Sequence, residues 1–311
     1  VSRPCHAARE RIAVTIGTLP AHRPRAARLT SRLSATEPRS LGLLLLAPML
    51  LWIAIFFILP TGWMIWQSFA ERGLQPYAAI LSSPVYLKVL VTTLKICVIT
   101  TLGCVILGYP VAYVLATARP PVRAFLLILV ILPYWLDFIV RSYSWMILLG
   151  RHGLINQLVI GLGLSQTALP LLYNLFSVEI GMIQILLPLT ILTLFSTMVR
   201  IDLRLVDAAT IHGASPWRAF LTIFLPLSLP GVYAACLLLF VSSLGFYVTP
   251  ALLGGPEQTM ISQTIMVIAS DLLDWPLASA AGVLLLVVTT GLLLVYSRFF
   301  RLDRMLGGMA R

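Results

Sequence analysis

The 311 residues are 59% hydrophobic and 11% charged, with a mean hydropathy of +0.96. A soluble domain of this length needs about 25% charged residues to cover itself, so the composition excludes a water-soluble globule and points to lipid as the solvent. The net charge of +11 is not interleaved with aromatics on one surface, which argues against a nucleic-acid partner.

In chain order, residues 1–40 form an Arg-rich arm with Pro, Ala, Ser and Thr between the charges and no sustained apolar period. It reads as a disordered cytoplasmic arm. No short apolar core with a small-residue cleavage site adjoins it, so it does not read as a cleaved signal peptide. Six apolar segments follow, near 41–66, 89–117, 124–149, 174–199, 227–250 and 276–298. Each is long enough to cross a bilayer as a tilted helix. Pro110, Pro133, Pro188 and Pro230 lie in or near these segments, as membrane helices tolerate. Trp52, Trp63, Trp66, Trp135 and Trp145 fall where interface anchors often do. Residues 306–311 are read as a cytoplasmic tail.

Basic residues set the orientation. With the N-terminus inside, the arm, 118–123, 200–226 and the segment from 298 hold 17 of the 22 Lys and Arg residues. The outer loops hold Arg72, Lys88 and Arg151. This positive-inside bias predicts an all-α, multi-pass membrane protein with both termini in the cytoplasm.

The long cytoplasmic loop between the fourth and fifth segments reads "VDAATIHGASPWRAFLTIFLP" at 206–226. Good helix formers at 202–212 lead to Gly213, a natural left-handed terminator. Ser215 and Pro216 read as the cap and first residue of a second helix, with Trp217, Phe220, Leu221 and Phe224 on its apolar face and Pro226 at its end. Ala208 and Ala209 leave a flat surface against which another backbone can pack. These cues alone fit a docking element or a surface helical hairpin without a partner.

The spacing Asp207, Ala208-Ala209, three residues, Gly213, nine residues, Ile223, one residue, Leu225-Pro226 resembles the signature of binding-protein-dependent ABC importer permeases. Asp stands where Glu is usual. The resemblance runs over about 41–305, and "LGYPVAYVLA" at 107–116, "LPYWLDFIVRSYSWMILLGRHGLINQ" at 132–157, "TPALLGGPEQTMI" at 249–261 and "DWPLASA" at 274–280 are similar to the first permease of the spermidine/putrescine branch.

This resemblance implies a six-helix type I ABC importer permease domain of a bacterial inner membrane, with the 200–226 loop coupling it to an ATPase. It implies a dimer of ABC ATP-binding subunits, a second homologous permease and a soluble solute-binding protein as partners, besides the bilayer. ATP and Mg would be bound by the ATPase; this chain carries no phosphate-loop motif and no cofactor of its own. The implied cargo is a polyamine. Similar permeases carry amino-acid-derived or organophosphorus solutes, which remain the alternative. An ion-coupled transporter would leave the 207–226 spacing unexplained, and an intramembrane enzyme would need a nucleophile, base or metal cluster that the sequence does not bring together.

Charged and polar groups within spans default to functional candidates. A polyammonium cargo needs carboxylates and aromatic faces, which Tyr134, Trp135, Asp137, Glu179 and Gln184 could supply. Two plain readings stand beside this one. Asp137 and Arg141, four apart, could neutralise each other on one helix face. Glu179 could be bonded to another helix or to a partner subunit. The four histidines form no ligand set, and the cysteines suggest neither a disulfide framework nor a metal site.

Overall fold

The computed structural model describes residues 39–300. The arm read at 1–40, apart from Arg39 and Ser40, and the tail at 306–311 lie outside the described residues. The chain divides into two units at Thr61.

The described part of the first unit holds helix α1 (Arg39–Ile53), a widened π-helical turn at Ala54–Ile58, and the start of α2 (Leu59–Ala70). Pro60 comes one residue after this wide turn. There the Leu59 N–H reaches back five residues to the Ala54 carbonyl. A proline lacks an N–H and its ring crowds the carbonyl four residues back, so a wide turn just before it keeps the helix continuous.

The second unit continues with α3 (Gln75–Ser82), α4 (Pro84–Thr117), α5 (Pro120–Ile131), α6 (Phe138–Leu149) and α7 (Leu154–Gly161). It then runs through α8 (Leu175–Met198), α9 (Arg204–Ile211), α10 (Pro216–Ala219), α11 (Leu225–Leu244), α12 (Val248–Leu253), α13 (Ile261–Ser270) and α14 (Trp275–Phe300). The described chain is all-helical. Five stretches are long and apolar enough to cross a membrane, and a bent pair of helices makes a sixth if taken as one span.

The long helices α4 and α8 pack against each other, and α11 packs on both. Two apolar clusters join them. One contains Ile96, Cys97, Val178, Met182 and Leu244; the other Ala112, Leu115, Leu194, Met198, Phe224 and Ala235. With lipid tails as apolar as leucine, such helices associate through close packing and polar contacts. The polar contacts are short: Tyr109 with Ser228 at 2.7 Å, Ser142 with Thr249 at 3.0 Å, and the Ile261 N–H donating to Thr93 Oγ1 at 2.9 Å.

Two expectations about helix continuity are corrected. The third segment, expected as one helix over 124–149, is broken: Pro120–Trp135 and Phe138–Gly161 meet at 90°. Pro133 removes a backbone donor, the chain tightens into a 3-10 turn at Leu132–Trp135, and Asp137 starts a new helix as its cap. Conversely, Pro226 does not end the second loop helix. A π-helical turn at Phe220–Phe224 precedes it, the Leu225 N–H reaches Phe220, and Pro216–Leu244 runs as one span. The fifth span therefore begins well before 227 and ends before 250, and α12 follows it as a separate short helix.

Candidate functional sites

The loop between the fourth and fifth spans folds much as its residues dictate. In α9 the Asp202 carboxylate accepts the Arg204 N–H at 3.0 Å. The helix stops in a Schellman motif: Ala214 N–H donates to the Ala209 carbonyl and Gly213 N–H to that of Thr210, both at 3.0 Å. Gly213 takes φ +88°. Ser215 then caps α10, accepting the Arg218 N–H, with Pro216 at its first position.

Asp207, Ala208, Gly213 and Pro226 are exposed, while Ala209, Ile223 and Leu225 are half-buried. Ile211 and Trp217 are exposed too, at 83% and 69%. The loop thus offers a small-sided helix, with Asp207 exposed on it, flanked by large apolar side chains. Its root is aromatic. Trp217, Phe220 and Phe224 stack in sequence, and Phe220 and Phe224 meet Tyr113 of α4 edge-on at 5.3 and 4.9 Å. Val206 and Ile201 pack on the cluster that holds Phe224. The loop is therefore packed against α4 as well as joined to α11.

The second site is a cavity of about 650 Å³ at the break in the third span. Tyr134, Trp135 and Asp137 line it, together with Arg141, Phe246 and Tyr247. The structure thus brings together three of the five residues expected on a solute path. Glu179 and Gln184 do not line this cavity. Glu179 is buried in α8, where its Oε2 accepts a hydrogen bond from Thr100 Oγ1 at 2.7 Å. It is bonded to another helix, one of the two plain readings. Its Oε1 and the Gln184 Oε1 are buried without a hydrogen-bond partner.

The other plain reading holds only as a longer-range attraction. Asp137 lies outside α6 as its cap, and its Oδ1 accepts the Ile139 N–H at 2.7 Å. Held there, the carboxylate attracts the Arg141 guanidinium without closing to an ion pair. Among the described residues the one ion pair is Arg72 with Asp274, at 2.8 Å. Arg141 is 8% exposed, and its Nε and Nη1 are buried with no hydrogen-bond partner. In sequence Arg141 qualifies as a functional candidate within a span, with pairing to Asp137 as its alternative, and its place on the cavity wall follows only from the break. Pro133 was the available signal of a break.

Residues 105–302 match the family model described as the binding-protein-dependent transport system inner membrane component. The chain is 34% identical over 261 residues to the spermidine/putrescine transport system permease protein PotB of Escherichia coli K12, covering 81% of this chain and 94% of that one. It is 32% identical over 259 residues to the PotB of Haemophilus influenzae, covering 79% and 90%. Its fold is similar to a chain in the crystal structure of a bacterial alginate ABC transporter in complex with an alginate pentasaccharide-bound periplasmic protein. That match has a TM-score of 0.73 and 18% identity, over 89% of this chain and 98% of that one.

Proposed function

Because the chain belongs to the family of binding-protein-dependent transport system inner membrane components, as a permease subunit of an ABC importer, we propose that it forms half of an ATP-driven path for a small organic solute. The proposed partners are a second permease of the same family, a dimer of ATP-binding subunits and a soluble solute-binding protein. ATP and Mg are bound by the ATP-binding subunits. Both termini face the cytoplasm, a reading supported by the distribution of Lys and Arg.

In this reading Asp207, Ala208, Ala209 and Gly213 form the surface that seats on the ATP-binding subunit. Ile223, Leu225 and Pro226 continue it into the fifth span. ATP-driven closure of the ATPase pair moves α9, and the stack from Phe220 and Phe224 to Tyr113 passes that movement to the spans. The exposure of Asp207, Ala208 and Ile211 on a helix held to the core through Val206 is the observation that carries this reading.

The cargo proposed first is a polyamine, spermidine or putrescine. It is supported by the PotB relatives, and by Asp137, Tyr134 and Trp135 as ammonium-binding groups on the cavity wall. A second reading, the same machine carrying an amino-acid-derived solute, is favoured by Arg141, a cation on the same wall.

The test is uptake of labelled spermidine and putrescine by the assembled complex in proteoliposomes, with and without ATP inside. ATP-dependent uptake establishes machine and cargo together. ATP hydrolysis stimulated by the loaded binding protein without polyamine uptake keeps the machine and discards the cargo. Absence of any associated ATPase overturns the permease reading.

A further inference from the structure

The cavity at the break in the third span has two walls. The chain at the break supplies one, through Tyr134, Trp135 and Asp137. The join between α11 and α12 supplies the other, through Phe246 and Tyr247. The helices α6 and α12 start at these walls, directly after Asp137 and Tyr247. They are fastened to each other by a hydrogen bond at 3.0 Å between Ser142 and Thr249, both fully buried. The exposure of the lining is uneven. Trp135 is 86% exposed and Tyr247 40%, whereas Arg141 is 8%. The positive groups of the first wall are answered within it, since Asp137 caps α6 through Oδ1 and attracts the Arg141 guanidinium. The cavity therefore turns mainly aromatic surface toward its opening, with the Asp137 carboxylate exposed beside it. The face of an aromatic ring attracts an ammonium group, more strongly as water is excluded.

We propose that Tyr247 is a second ammonium seat, opposite the one at Asp137 and Trp135, and that it makes this permease select cargo with an ammonium group at each end. The proposal rests on the polyamine reading and deepens it. One end of the polyamine lies at Asp137 and the Trp135 ring, and the other on the face of Tyr247. The methylene chain between them crosses Ile185 and Leu186 of α8, the apolar part of the lining. A compound with one ammonium group fills one seat only.

Putrescine and n-butylamine make a matched pair of probes. They share a carbon chain and one ammonium end, and differ in whether the other end is ammonium or methyl. Binding of each is measured by equilibrium dialysis against the assembled permease–ATPase complex in nanodiscs. Leaving out the solute-binding protein keeps its own selectivity from masking that of the cavity. ATP-dependent putrescine uptake by the full complex in proteoliposomes is measured beside it. The variants are Tyr247→Leu, Tyr247→Phe and Asp137→Asn, each accepted only when it elutes with its ATPase subunits.

The wild type is expected to hold putrescine about three- to thirtyfold more tightly than butylamine, the scale of one contact between a cation and a ring. Tyr247→Leu is expected to remove that difference by weakening putrescine and leaving butylamine unchanged. Tyr247→Phe keeps the ring and most of the difference. Asp137→Asn weakens both probes, because both use the first seat and because Arg141 is then left without its opposing charge.

Equal binding of the two probes by the wild type overturns the second seat. So does a Tyr247→Leu variant that leaves putrescine unchanged, or one that weakens both probes alike, which would mark a deformed cavity. A Tyr247→Phe variant that falls as far as Tyr247→Leu overturns the ring face as the seat. Any of these results in a complex that still takes up putrescine with ATP removes the second seat and leaves the polyamine cargo. A complex that hydrolyses ATP but takes up no polyamine removes both.

Discussion

Thr100 of α4 donates its hydroxyl proton to Glu179 of α8 at 2.7 Å, the one hydrogen bond that ties this buried acid to the packed pair of long helices. Glu179 is 7% exposed and its second oxygen has no hydrogen-bond partner. Glu179→Gln keeps an acceptor for Thr100 and removes an ionisable group from an apolar setting. Its stability is therefore expected to equal or exceed that of the parent. Thr100→Val strips the acid of its donor and is expected to cost about 1–3 kcal/mol. Unfolding of the purified chain by detergent titration ranks the three. A Glu179→Gln variant less stable than Thr100→Val would show that the acid has a stronger partner than Thr100.

Arg123 clamps the turn between the second span and the broken third. Its Nε donates to the Leu115 carbonyl at 3.0 Å, and its Nη2 to those of Ala116 and Ala118 at 3.0 and 3.1 Å. These carbonyls belong to the last turn of α4 and the residue after it, where the helix leaves acceptors unsatisfied. Arg123→Ala is expected to destabilise by about 1–3 kcal/mol, and Arg123→Lys to recover only part, because one ammonium cannot span the fork. The same titration reads both, and full recovery by lysine would reduce the clamp to simple charge.

Gly231 and Gly213 are expected to fail for different reasons. A Cβ on Gly231 would lie 2.6 Å from Thr197 Cβ, where α11 crosses α8. Gly231→Ala therefore forces the helices apart at a cost of about 1–3 kcal/mol, and Thr197→Gly restores part of it. Recovery is measured as the unfolding midpoint of the single and double variants.

At Gly213 a Cβ would meet nothing within 4 Å, but φ is +88°. Gly213→Ala is expected to cost about 1–2 kcal/mol in the loop alone, with Gly213→Asn milder. Its effect should appear as reduced retention of the ATPase subunits with little change in the unfolding of the spans. Equal losses in both readouts would place Gly213 in the core stability of the chain.

Arg72 and Asp274 form an exposed pair that closes two loops, and Asp274 also accepts the Leu277 N–H at 3.2 Å as α14 begins. Removing the arginine is expected to change stability by less than about 1 kcal/mol, since solvent screens an exposed pair. Asp274→Ala is expected to cost more, because it loses the cap as well. These two bonds give Asp274 a structural role.

Composition and period were enough to read an all-helical membrane chain, and the fourth and sixth spans were placed within a residue or two. Apolar length alone decides where a helix can lie in lipid. The loop at 206–226 was legible for a similar reason. Its glycine turn, serine cap and helix-opening proline act locally, through φ and single hydrogen bonds, and the structure keeps them all. Prolines within apolar runs were legible as possible breaks but not in their outcome, because their effect depends on the turn around them. Pro226 and Pro60 are absorbed by wide turns, whereas Pro133 adjoins a right-angled break. Only tertiary structure decided that Asp137 would cap a helix without closing an ion pair to Arg141, that Glu179 would face Thr100, and that Tyr134, Trp135, Asp137 and Arg141 would share one cavity. Those outcomes turn on which side chains other helices bring within hydrogen-bond reach, and spacing along one segment does not carry that information.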